Sequence, residues 1–202
     1  RPGNTLVGYA SLEEVRASVG KRLGVNQSSL GLIDDQDERA LARIEEDAEI
    51  ADRAYQQFRR QQTELGGVVT FEDKQELRRR LAELSNRLDA YLAQEYGVDP
   101  AKERNFAKWR SSHEPFHWFV EFYGIMKERG FDVIIGNPPY VEYGSVRSQY
   151  TVKGYCTESC GNLYAFTWER CLRLSRATSG RVGMIVPVAA VCTSGYAPLQ
   201  RL

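Results

Sequence analysis

The sequence predicts a mixed α/β fold, with a helical hairpin in its first half and an open parallel sheet in its last third. Two observations predict it. Apolar residues recur at three- and four-residue spacings from about residue 37 to residue 97, and short β-rich runs alternate with a helical stripe from Gly130 onward. Both patterns sit in a chain of 202 residues, 42% hydrophobic and 27% charged, which suffices for a buried core.

Three parts follow: residues 1–35 lead into the hairpin, residues 36–104 form it, and residues 105–202 carry the sheet. Leu41, Ile44, Ala48, Ala51, Tyr55 and Phe58 fall on one stripe of a helix from about Asp37 to Leu65, and Gly66-Gly67 supplies a turn. Leu77, Leu81, Leu84, Leu88 and Tyr91 make a second stripe. Thr70 and Asp73 resemble a capping box ahead of it, and Gly97 ends it with Pro100 beyond. Two such helices fold back antiparallel, each burying its stripe against the other or against a neighbouring domain. At roughly 1.5 to 3 kcal/mol per buried side chain against 1 to 2 kcal/mol of ordering per residue, the hairpin alone is marginal. Acidic residues interleave with Arg59-Arg60 and Arg78-Arg79-Arg80, a pattern that favours a solvated face over a nucleic-acid arm.

Phe106, Trp109, Phe116, Trp118, Phe119, Phe122 and Tyr123 crowd the next segment, and core packing explains most of them. Phe131 to Ile135 reads as a buried parallel strand, closed by Gly136 and two prolines. A loop from Val141 to Cys160 leads to a helix expected over Asn162 to Ala177, marked by Leu163, Phe166, Cys171, Leu172 and Leu174. Thr178-Ser179-Gly180 ends that helix. Arg181 to Val186 is a second buried strand, and a further helix starts near Tyr196.

Composition narrows the function classes. Twenty-seven basic and 27 acidic residues give zero formal charge, which excludes a uniformly basic nucleic-acid binder. No window approaches the roughly 18 consecutive apolar residues that a membrane span needs. The four cysteines, Cys156, Cys160, Cys171 and Cys192, are too sparse for a disulfide framework, so reduced thiols and a cytoplasmic setting are expected. Cys156 and Cys160 lack a matching ligand pair in His113 and His117, so no metal is expected. Asn26-Gln27-Ser28 fits a glycosylation pattern by chance. The chain starts at Arg1 without an initiator Met and reads as a piece of something longer.

The residues that carry chemistry are Asn137-Pro138-Pro139-Tyr140, at the carboxyl end of the first strand, where ligands of open α/β sheets bind. Two prolines remove backbone donors and leave carbonyls free, Asn offers an amide oxygen, and Tyr offers a flat ring. Such a set suits a planar amine: two acceptors take hydrogens from one exocyclic NH2 while the ring stacks, each element worth about 1 to 3 kcal/mol.

Phe131-Asp132-Val133-Ile134-Ile135-Gly136-Asn137-Pro138-Pro139-Tyr140-Val141 resembles the catalytic motif of S-adenosylmethionine-dependent N6-adenine DNA methyltransferases. Phe116-His117-Trp118 and Glu121-Phe122 resemble the lead-in of the large bacterial subgroup in fused restriction-modification and phage-defence enzymes. Gly161-Asn162-Leu163-Tyr164 and Gly180 to Pro187 resemble its next helix and strand, and Gly3 to Gly8 matches more loosely. The resemblance covers residues 111–202 well and residues 1–35 loosely, and the hairpin adds nothing to it.

The resemblance implies a partial Rossmann-like methyltransferase sheet acting on double-stranded DNA, with a flipped adenine stacked on Tyr140. Its N6 would donate to Asn137 and to the Pro138 carbonyl, Pro139 would shape the wall between the two substrates, and Asn162 and Tyr164 would border the S-adenosylmethionine. Fused or associated nuclease and target-recognition domains are implied as partners. The chain departs from the family in lacking a Gly-rich cofactor loop: neither Gly66-Gly67 nor the Gly20 to Gly24 stretch follows a strand. The isolated chain is therefore expected neither to bind the cofactor well nor to methylate DNA. Two other readings compete: a protein glutamine-amide methyltransferase, whose substrate offers the same planar NH2, and a non-catalytic interaction module centred on the hairpin.

Overall fold

Ser11 starts the first helix. Its Oγ accepts from Glu14 N at 3.3 Å while the Glu14 carboxylate reaches back to Ala10 N at 2.7 Å, an arrangement that pairs free donors ahead of α1 (Leu12–Arg22). This computed structural model describes residues 2–22, 39, 41–50, 52, 53, 56 and 71–202. Residues 41–50 form α2, which buries Leu41, Ile44 and Ala48, as their spacing predicts. Ala51, Tyr55, Phe58, Arg59-Arg60, the Gly66-Gly67 turn, Thr70 and Asn26-Gln27-Ser28 lie outside the described residues, as do the side chains of Asp73 and Leu77.

The second stripe becomes α3 (Phe71–Glu95), with Leu84, Leu88 and Leu92 buried. It ends where predicted. Gly97 takes φ 76°, Gly97 N donates to Gln94 O and Val98 N to Ala93 O, the paired bonds that close a helix on a left-handed residue. The exposed face of α3 is solvated: Arg79 and Arg80 bond Glu76 at 2.9 and 2.6 Å and hold its carboxyl down to about 2. Residues of α1, α2 and α3 share one hydrophobic core with Trp109, Phe119, Tyr143, Tyr155 and Phe166 of the C-terminal half. The marginal stability expected of a lone hairpin is thus met by burial against its neighbours.

The aromatic segment folds as three helices, α4 (Glu103–His113), α5 (Trp118–Glu121) and α6 (Tyr123–Lys127). The N-terminal segment docks along it: Asn4 N donates to Glu114 O, Phe116 N to Val7 O and Phe119 N to Tyr9 O. Gly8 allows this approach, because at φ 139° an added Cβ would stand 2.1 Å from Phe116 O.

Next come β1 (Val133–Gly136), α7 (Tyr143–Val146), α8 (Leu163–Leu174) and β2 (Arg181–Met184), then α9 (Ala189–Cys192) and α10 (Ala197–Gln200). β1 and β2 pair in parallel, Val133 opposite Arg181 through Gly136 opposite Met184, with α8 as the crossover. The fold is mixed α/β and mostly helical, with this small sheet.

Two expectations need correction. Both strands were expected to be buried, yet Val133 is 62% and Ile135 80% exposed. Ile134, Val182 and Met184 alternate inward and are half-buried, because among the described residues only one face of the sheet is covered. The crossover helix was expected over Asn162 to Ala177 and is shorter at both ends. Asn162 is its cap, and beyond Leu174 the chain turns extended so that Phe131 N donates to Leu174 O and Arg176 N to Phe131 O.

Candidate active site

β1 delivers Asn137-Pro138-Pro139-Tyr140 to the carboxyl edge of the sheet. The ladder runs one residue past the strands, Ile185 N donating to Gly136 O at 3.0 Å, so the backbone entering the motif is held against β2. Asn137 and Pro139 are exposed, Pro138 is buried, and Tyr140 is half-exposed. The motif therefore presents an amide and a ring at the surface while one proline anchors it in the fold.

The hydroxyl of Tyr140 bridges the two strand ends, 2.9 Å from Asn137 Oδ1 and 2.8 Å from the carbonyl oxygen of Ile185. Tyr164 meets the Tyr140 ring edge-on, with centroids 6.1 Å apart and an interplanar angle of 89°. Tyr196 stacks on Tyr164 at 5.4 Å and 20°. Burial, helped by the Tyr196 hydroxyl, pushes the Tyr164 phenol far above its ordinary value, so it stays neutral.

The chain after the motif folds straight back on α8. Leu163 N donates to Val141 O and Tyr143 N to Gly161 O, both at 2.9 Å. Asn162 caps the helix, its Oδ1 accepting from Tyr164 N at 3.4 Å. All six residues singled out in the sequence thus gather at one end of the sheet. Asn162 uses its side-chain oxygen for the cap, while its amide NH2 lies outside that bond on a half-buried residue, and Tyr164 is 2% exposed. For a cofactor at this edge Asn162 would offer a donor and Tyr164 a packed wall.

The lead-in residues are structural anchors. His117 Nδ1 accepts from Tyr9 N at 3.2 Å, its Nε2 faces Asp89 Oδ1 at 3.0 Å, and its ring stacks on Tyr9. Trp118 Nε1 donates to Thr5 O at 3.1 Å. Cys156 is exposed and Cys160 half-buried, and burial raises both thiols. Among the described residues no group of three His, Cys, Asp or Glu side chains is placed to hold a metal, and no helix is long and apolar enough to cross a membrane.

The Ile185 carbonyl and Tyr196 were not foreseen as part of this site. A backbone carbonyl has no sequence signal, and Tyr196 reads only as a residue near a helix start.

The arrangement can hold a planar amine: side-chain and backbone oxygens and a half-exposed ring converge, with the Tyr140 hydroxyl meeting both Asn137 Oδ1 and the Ile185 carbonyl. Residues 38–202 match the family described as Eco57I restriction-modification methylase. The chain belongs to that family. The resemblance to restriction-modification DNA methyltransferases read from the sequence is borne out. The match starts at residue 38, so it takes in most of the helical region, which the resemblance had left out.

A relative in Methanocaldococcus jannaschii, by name a candidate type II restriction enzyme and methyltransferase, is 43% identical over 121 residues, 55% of this chain and 10% of that protein. The chain thus spans about a tenth of the length of this curated relative. No solved structure matches it significantly.

Proposed function

We propose that this chain is the motif-bearing portion of a site-specific adenine-N6 DNA methyltransferase, part of a longer restriction-modification or phage-defence protein in the cytoplasm. The observation that carries the reading is the surface exposure of Asn137 and Tyr140 at the carboxyl end of β1, beside a proline pair that leaves backbone oxygens free. The two strands and α8 are read as one part of a Rossmann-like sheet.

In this reading an adenine leaves the DNA stack and lies on the Tyr140 ring, at a cost of a few kcal/mol that stacking offsets. Asn137 Oδ1 and the Pro138 carbonyl accept its two N6 hydrogens. These bonds draw the amine out of conjugation with the ring and aim its lone pair away from the motif, so rate comes from positioning and electrostatics and not from a strong base. Pro139 shapes the wall beside the amine, and Asn162 and Tyr164 close the cofactor side through their packing. S-adenosylmethionine would supply the methyl group, with the new N–C bond formed as its S–C bond breaks to leave a neutral thioether and one N6 proton passing to solvent. The relative's name supports a DNA substrate and a nuclease activity in the same protein, with a target-recognition domain as a further expected partner.

The test is nucleoside mass spectrometry on DNA incubated with the full protein and S-adenosylmethionine. N6-methyladenine is expected, falling by on the order of 10²- to 10³-fold with Asn137→Ala. A folded protein that leaves adenine unmodified would overturn the reading in favour of an amide substrate or a binding role.

A further inference from the structure

We infer that the Tyr140 hydroxyl is a stand-in for the substrate amine: it holds the Asn137 side-chain oxygen before substrate binds and yields it when an amine arrives. The inference rests on the reading above for the identity of that amine.

The hydroxyl carries one hydrogen and meets two acceptors, Asn137 Oδ1 at 2.9 Å and Ile185 O at 2.8 Å. One hydrogen shared between two oxygens is a three-centre bond, weaker toward each than a bond to either alone. An amine that donates to Asn137 turns it into a full bond to Ile185. No group is left without a partner at any stage, so the exchange avoids the penalty of an unmade hydrogen bond.

Two further observations make the second acceptor and the ring fixed points. Ile185 is locked to β1 by its own N–H, which donates to Gly136 O at 3.0 Å, so its carbonyl stays in place when Asn137 changes partner. The ring stands perpendicular to Tyr164, which is 2% exposed and backed by Tyr196. The hydroxyl can therefore release Asn137 while the ring keeps its place for stacking. An intramolecular hydrogen bond outcompetes water by the net worth of such a bond, so the hydroxyl weakens binding of the amine by a modest factor.

Tyr140→Phe retains the ring and deletes the stand-in. In the full enzyme the KM for DNA is expected to fall about two- to tenfold, the equivalent of one net hydrogen bond, with kcat moving less than KM. A KM that is unchanged or raised overturns the proposal. On the chain itself, nitrogen-15 NMR reads the contact without any reaction: Tyr140→Phe is expected to move the side-chain amide signals of Asn137 and leave those of exposed Asn105 in place. Unmoved Asn137 signals overturn the proposal as well. An enzyme that leaves adenine unmethylated overturns the preceding reading alone, and the Asn137 signals then judge the contact.

Discussion

His117 and Asp89 meet 3.0 Å apart with side chains only 1% and 2% exposed, joining the lead-in of the motif-bearing half to the middle of α3. Because Nδ1 of His117 accepts from Tyr9 N, the ring hydrogen sits on Nε2 and is donated to the Asp89 carboxylate. One imidazole thus ties three segments, the N-terminal turn segment, the long helix and the aromatic lead-in.

Asp89→Ala leaves the Nε2 hydrogen of His117 buried and unpaired, and is expected to cost about 1 to 3 kcal/mol. Asp89→Asn keeps a side-chain oxygen in reach and should recover most of the loss. Urea denaturation of the three proteins checks the order; equal midpoints for Ala and Asn would show that the contact contributes nothing.

Arg170, 4% exposed, is the second tie. It donates to the Tyr155 hydroxyl at 2.8 Å and to the carbonyl oxygens of Leu6 and Gly8 at 3.1 Å each, with Glu14 at 3.4 Å. Arg170→Met is expected to destabilise by about 1 to 3 kcal/mol: Gly8 O loses its guanidinium donor, while Leu6 O keeps the Tyr155 hydroxyl and the part-exposed Glu14 keeps Ala10 N and Arg173. Arg170→Lys should rescue little, because an ammonium lacks the planar fork that reaches all these oxygens. Hydrogen exchange should show faster exchange first at residues 6–10, and uniform acceleration across the chain would argue against a local clamp.

Glu169 predicts an acid dependence. Burial raises its carboxyl, but this is outweighed by bonds from the Thr157 hydroxyl and N–H, from Cys156 N and from Arg173, which bring it below the ordinary 4.5. A carboxyl lowered in the folded state binds protons more readily when unfolded. Its stabilisation is therefore complete above about pH 4.5 and is lost as pH falls through the lower folded value. Glu169→Gln should cost about 2 kcal/mol at neutral pH and remove that share of the acid sensitivity. Denaturation midpoints measured at pH 7 and pH 3 test it: the gap between wild type and variant must narrow in acid.

Much of this was legible in the residues. The Leu84-Leu88 stripe, the Gly97 stop and the strand leading into Asn137-Pro138-Pro139-Tyr140 all depend on neighbours a few residues away and stand where the patterns put them, and the crossover helix starts one residue later than expected. Period and backbone preference act locally, so a linear reading captures them. Strand burial was misjudged because an apolar run states a preference and not the presence of a second covering layer.

What the sequence by itself determined is the identity of the elements and the chemistry of the motif, because helix period, proline geometry and an amide beside a ring are properties of adjacent residues. Only the tertiary structure decided the partners: Asp89 for His117 across 28 residues, Leu6 for Arg170 across 164, and the Ile185 carbonyl for Tyr140 across 45. The physical reason is that a buried polar group must find a partner wherever the packed chain brings one, and that choice is made by the shape of the shared core.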